Sequence, residues 1–127
     1  MAKGTGGTFY TIPGLVAGED LSNSTYKVVQ LSSTGGEVKL ASSSTDPLVG
    51  ILLDNPEEGQ PALVAYAGVV RAIAESAFSA GDKLTASSTG RVKATTTEGD
   101  VCVGIALEEA TTVEYVSVLL KHFEVGA

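Results

Sequence analysis

The sequence predicts an all-β protein, a compact β domain with an internal pseudo-duplication and an extended N-terminal arm. Three observations carry this prediction. The apolar residues fall in short, β-branched runs closed by Gly, Pro, Asp, Ser and Thr, the punctuation of strands and turns. The second half restates the order of the first, as a duplicated fold does. The first twenty residues stand apart in composition, rich in glycine and small polar residues. The chain divides into a flexible arm, residues 1–20, and a single β domain, 21–127, whose pseudo-repeats span about residues 26–73 and 82–124.

Element by element, the arm gathers Phe9, Tyr10, Ile12, Pro13, Leu15 and Val16. A solvated, frayed terminus has little use for two aromatics among so many aliphatics, so the cluster predicts an arm that orders against a partner or a neighbouring subunit. Residues 26–31, a turn at Ser33-Thr34-Gly35-Gly36 and residues 37–40 read as a hairpin, because paired glycines supply the positive φ of tight turns. Residues 47–53 (PLVGILL) read as a buried strand with proline at its start, where a missing N–H is tolerated. A polar turn over 54–59 leads to residues 62–73 (ALVAYAGVVRAI), two strands or one strand bulged at Gly68. Alanines over 70–78 admit at most one short helical turn, which Gly81 and Asp82 would end.

The second half then repeats the first. A shift of 54 residues superposes Val38 on Val92, Lys39 on Lys93, Asp46 on Asp100, Val49 on Val103, Gly50 on Gly104, Ile51 on Ile105 and Leu53 on Leu107. Asp54 then falls on Glu108 as an acidic pair. Glycine inside an apolar strand forfeits packing, so the matched Gly50 and Gly104 predict a shared bulge or a close crossing of backbones. Each half ends in a long apolar strand with one cation, Arg71 in the first and Lys121 in the second; residues 113–123 begin with the period-two alternation of a half-buried strand.

At 127 residues and 12.9 kDa the chain holds one domain, or two small similar halves around one core, which excludes a multidomain enzyme. Fifteen acidic against eight basic residues give a net charge of −7. Such a balance repels nucleic-acid backbones and anionic membranes. With no Trp and few Phe and Tyr, stacking platforms for bases or sugars are scarce. The N-terminus lacks the apolar core of a signal peptide and no stretch approaches a membrane span. The lone Cys102 admits no intrachain disulfide. The chain reads as a soluble protein folded in a cytosol, and the sequon at Asn23-Ser24-Thr25 carries no weight against that.

No catalytic set emerges. His122 is the single histidine and has no evident nucleophile partner. Cys102, amid Val101, Val103 and Ile105, reads as a small buried hydrophobe. One Cys and one His cannot close a zinc shell, and the acidic clusters at 54–58, 98–100 and 108–109 lack the spacing of a calcium loop. Gly4, Gly6 and Gly7 neither follow a strand nor open a helix, so they are no dinucleotide fingerprint. No catalytic residue, metal or cofactor is therefore expected.

Ala80-Gly81-Asp82-Lys83-Leu84, Ser88-Thr89-Gly90-Arg91-Val92, the run from Gly99 to Ala106 (GDVCVGIA) and Val116-Ser117-Val118-Leu119-Leu120 stand in a fixed order. In these segments the chain resembles the small capsid cement, or head decoration, proteins of tailed bacteriophages. The resemblance covers residues 60–124 and extends to 17–54 through the repeat, with Ala17-Gly18-Glu19-Asp20-Leu21 echoing the AGD opening. It implies a compact β-barrel or β-tulip-like domain that assembles as a homotrimer on the outside of an expanded head, clamps neighbouring major capsid subunits and catalyses nothing. The arm would make part of that contact, through Phe9, Tyr10, Ile12, Pro13 and Leu15. These five are chosen by composition and position, since no family motif extends to them. A trimeric receptor-binding or adhesion module, such as a fibre or spike domain, fits the same features. A small trimeric nucleotide hydrolase would need signature motifs and arginines that are missing, and a biotinyl or lipoyl carrier would need a lysine at a tight hairpin tip.

Overall fold

The computed structural model describes Gly4 and residues 6–126. Met1–Lys3 and Thr5, part of the expected arm, and the terminal Ala127 lie outside the described residues. Ten strands form among those described: β1 (Phe9–Ile12), β2 (Val16–Ala17), β3 (Val28–Leu31), β4 (Glu37–Leu40), β5 (Leu48–Leu52), β6 (Val64–Ile73), β7 (Lys83–Ala86), β8 (Val92–Ala94), β9 (Val101–Ala106) and β10 (Tyr115–Glu124). They join in one sheet of order β2-β4-β3-β5-β6-β10-β9-β7-β8, with β1 added to β6. Residues 70–78 contain no helix; the first four complete β6, and Ala74 bridges to Val92.

The duplication expected from the 54-residue shift is built into this order. With β1 and β2 set aside, the path from β4 to β8 is the same sequence of equivalent strands from either end, so a pseudo-two-fold relates the halves across the β6–β10 pair. Matched residues do matched work. Asp54 accepts the Leu63 N–H through both carboxylate oxygens, at 3.2 Å, and Glu108 accepts the Ser117 N–H at 3.3 Å. A Cβ on Gly50 would lie 1.9 Å from the Ala65 carbonyl oxygen, and one on Gly104 would lie 2.3 Å from that of Leu119. The glycines are therefore the close backbone crossings that their matched positions predicted.

One detail of the repeat differs. The structural counterparts of Ala80–Leu84 are residues 25–29, not the AGD-like residues 17–21: the Tyr26 N–H donates to Leu52 and the Gly81 N–H to Ala106, each at 2.7 Å. The β3–β4 turn is one residue longer than the β7–β8 turn, which moves the offset ahead of it to 55.

The sheet curls without closing into a barrel. Closure would require the outer strands of the two halves to pair. The free edge of β4 is instead occupied in parallel by β2, through Val16↔Glu37 and Ala17↔Val38. The three-residue β8 reaches the other half only through single contacts such as the Ala74↔Val92 bridge, and the turn beside it through the 2.7 Å bond from Val28 N–H to the Gly90 carbonyl. The main core lies inside the curl, where Val28, Ile51, Leu84, Val92, Val103, Val116 and Val118 are fully buried. Each contributes about 1.5–3 kcal/mol by leaving water. A second cluster, including Leu21, Val29, Val38, Leu52 and Val64, sits under residues 12–21.

In place of a free tail, the described part of the arm is an extended strap joined to the sheet, because β1 pairs antiparallel with β6 and β2 pairs parallel with β4.

Candidate functional site

Backbone hydrogen bonds fix the arm along β6. The Gly7 N–H donates to Val69 at 3.0 Å and the Val69 N–H to Thr8 at 2.8 Å. The register continues Phe9↔Gly68, Tyr10↔Ala67, Thr11↔Ala65 and Ile12↔Val64, slipping between Tyr10 and Thr11. Gly68 permits this approach. Its φ is +97°, and a Cβ there would stand 2.3 Å from the Thr8 carbonyl oxygen and 2.6 Å from the Phe9 Cα. Upstream, the Gly6 N–H donates to Ser117 Oγ at 3.0 Å and the Gly4 N–H to Glu108 Oε2 at 2.9 Å.

This placement divides the five contact candidates. Phe9 is 42% exposed and Tyr10 63%, and Pro13 is exposed as well. Ile12 and Leu15 are half-buried against the second core cluster, so they hold the strap down. Two clefts flank the strap and share Leu63 as a wall. One, of about 400 Å³, is lined by Gly6, Gly7, Phe9, Leu53 and Val69, with Tyr26 and Arg71. The other, of about 410 Å³, takes in Ile12, Pro13 and Leu15. Tyr66, next to the β6 residue that faces Tyr10, is also 42% exposed.

Beside the first cleft stands a cluster of three side chains from separate elements. The Arg71 guanidinium carbon lies 5.3 Å from the Tyr26 ring centroid and 4.9 Å from that of Tyr115, both within cation–π range. The rings meet edge to face, centroids 5.7 Å apart and planes at 87°. Arg71 Nε–H donates to the Gly4 carbonyl at 2.5 Å. The sequence marks Arg71 as a lone cation in an apolar strand. Its partners, one just before β3 and one opening β10, are brought to it only by the sheet, and no local pattern announces them.

The remaining chemistry-bearing groups are dispersed. Cys102 is buried, and burial first, then the charge of Asp100, pushes its thiol pKa up despite Lys83, which keeps it protonated and inert. His122 is exposed near the end of β10. Asp100 is held below the usual aspartate range chiefly by the Thr95 hydroxyl, 2.6 Å away. Among the described residues no three His, Cys, Asp or Glu side chains converge on a point.

Comparison with known proteins now adds to this geometry. A family described as phage cement protein matches residues 16–122, which takes in every strand from β2 to β9 and most of β10. The chain belongs to the phage cement protein family. That family is one of structural phage proteins. Among solved structures, this cement-family chain superposes on the head fiber gp8.5 N base of bacteriophage phi29 with a TM-score of 0.67, covering 94% of this chain and 98% of that one. At 21% identity the likeness is one of fold. No curated protein sequence matches the chain. The cement-family match begins at Val16, immediately after Leu15. All five contact candidates stand upstream of it.

Proposed function

We propose that this cement-family protein binds the outer surface of a phage head as a homotrimer and stabilises contacts between major capsid subunits, after folding in the host cytoplasm. The observation that carries the reading is the state of Phe9 and Tyr10. Two aromatics remain 42% and 63% exposed on a strand whose backbone is fixed to the sheet. Exposed large apolar groups on a rigid support mark an interaction surface, and aromatics are the residues that dominate interface energetics. Many identical copies around a shell make modest contacts sufficient, because multivalency supplies the total.

The test is co-sedimentation of the purified chain with emptied, expanded heads. Saturable binding at a symmetric stoichiometry, weakened in a Phe9→Ala/Tyr10→Ala variant that folds normally, is the expected result. Binding untouched by that variant would remove the arm from the contact. A second reading, a receptor-binding or adhesion module, is favoured by the fold shared with a head fiber base. It predicts an oligomer that ignores heads and binds host surface glycans.

A further inference from the structure

We propose that the Arg71 guanidinium, framed by Tyr26 and Tyr115 at the edge of the Phe9–Leu63 cleft, is a preformed socket for an aspartate or glutamate side chain presented by the capsid shell. The inference rests on the capsid-binding reading and names the chemistry of the partner.

A guanidinium half-buried in an apolar strand is normally matched by a carboxylate. Here Arg91 pairs with Glu75 at 3.7 Å, whereas no carboxylate among the described residues pairs with Arg71. Among the described residues its one hydrogen bond uses Nε, so within them the fork of Nη donors that matches a carboxylate geometrically is left to a partner. The position is fixed in advance. Two rings hold the guanidinium plane, and the Gly4 carbonyl holds Nε.

Two glycines of the strap lie against the socket. A Cβ on Gly4 would stand 2.9 Å from the Tyr115 carbonyl oxygen, and one on Gly6 would stand 3.3 Å from the Arg71 backbone nitrogen. Glycine at these positions lets the strap backbone lie against the cluster while contributing no side chain to the cleft. Tyr26 holds a left-handed φ of 66°, a conformation that residues with side chains adopt mainly where function or packing requires it. On a chain of net charge −7, this fixed cation with apolar cleft walls selects an acidic side chain flanked by apolar residues.

The experiment measures head co-sedimentation across a salt series for the wild type, R71Q, R71K, G7D and the Phe9→Ala/Tyr10→Ala variant, with a thermal melt of each. R71Q should lower head affinity about tenfold or more and flatten the salt dependence, since it removes a desolvated charge pair, while R71K should retain part of both. Should R71Q melt early, G7D decides. It leaves Arg71 in place but offers it a carboxylate from the strap, and should block head binding equally. The double aromatic variant should lose affinity yet keep the salt slope. If R71Q and G7D bind heads as the wild type does while the aromatic variant does not, the socket is wrong and the capsid reading stands. If the wild type ignores heads, the reading itself fails. A head-free oligomer that R71Q dissociates would give the socket to a second copy and overturn the assignment.

Discussion

Tyr26 occupies in the first half of the chain the left-handed backbone position that Gly81 occupies in the second. Their φ angles are 66° and 91°, and each N–H closes onto the strand that follows the hairpin of its own half. Duplication preserved the backbone but not the residue. Where the second half uses the glycine that such a turn favours, the first accepts a strained tyrosine whose ring lies against Arg71.

Gly81→Ala isolates the conformational part of that difference. Nothing lies within 4 Å of a Cβ at Gly81, so no clash contributes and the cost is the left-handed strain of a non-glycine residue, about 1–2 kcal/mol. Urea denaturation should show a lower midpoint with an unchanged slope. An unshifted midpoint would mean that the turn relaxes out of the left-handed region.

Gly50→Ala and Gly104→Ala probe the two matched crossings. In both, the added methyl meets a backbone carbonyl of the adjacent long strand rather than a yielding side chain, at 1.9 Å and 2.3 Å. Each should cost about 3 kcal/mol or more, at or beyond the upper end of core overpacking, with Gly50→Ala the worse. Calorimetric melts of the two single variants are the check, and a drop in only one would break the equivalence of the halves.

The strap predicts a separation among its own residues. Phe9→Ala and Tyr10→Ala remove exposed rings and should leave stability within about 0.5 kcal/mol of the wild type. Ile12→Ala and Leu15→Ala strip half-buried groups from the second core cluster and should lower it, by about 1–2 kcal/mol each, below the range for fully buried sites. Head binding should respond in the opposite order per unit of stability lost.

The hairpins and the repeat were legible because they are local. Gly35-Gly36 and Ser88-Thr89-Gly90 close turns between runs of the right length, and Gly50 and Gly104 betray their crossing by standing 54 residues apart in the same apolar company. The docking of the strap was not legible. It depends on Gly68 adopting a positive φ so that Thr8 and Phe9 can approach a strand some sixty residues away, and on Gly4 and Gly6 meeting Tyr115 and Arg71. Closure of the sheet was equally out of reach, since it turns on which edge β2 covers rather than on any strand's own pattern. The AGD echo at residues 17–21 misled because it shares letters with residues 80–84 and not their place in the fold. The exposed pair Phe9 and Tyr10 was visible as composition, whereas the Arg71 cluster required the sheet.

Acid should weaken the fold in part through Asp100. The Thr95 hydroxyl stabilises its ionised form most, desolvation opposes, and Ser44 and Lys93 assist, so its folded pKa lies below the ordinary value. A carboxyl depressed by folding binds its proton more readily when unfolded. Its stabilisation is therefore fully present above the ordinary aspartate value and is lost as pH falls through the lower folded value. Asp100→Asn lacks this contribution at every pH. The melting-temperature gap between wild type and Asp100→Asn should thus be widest at neutral pH and should narrow progressively below pH 4, where Asp100 of the unfolded chain begins to take up its proton. Glu75, depressed in the same direction by Thr89 and Ser87, remains in both proteins and cancels from the difference. Thermal melts from pH 7 to pH 2 decide the matter: a gap that stays constant to pH 2 would show that the Thr95 bond serves the neutral side chain as well as the charged one, and that Asp100 acts as a loop acceptor without linkage to pH.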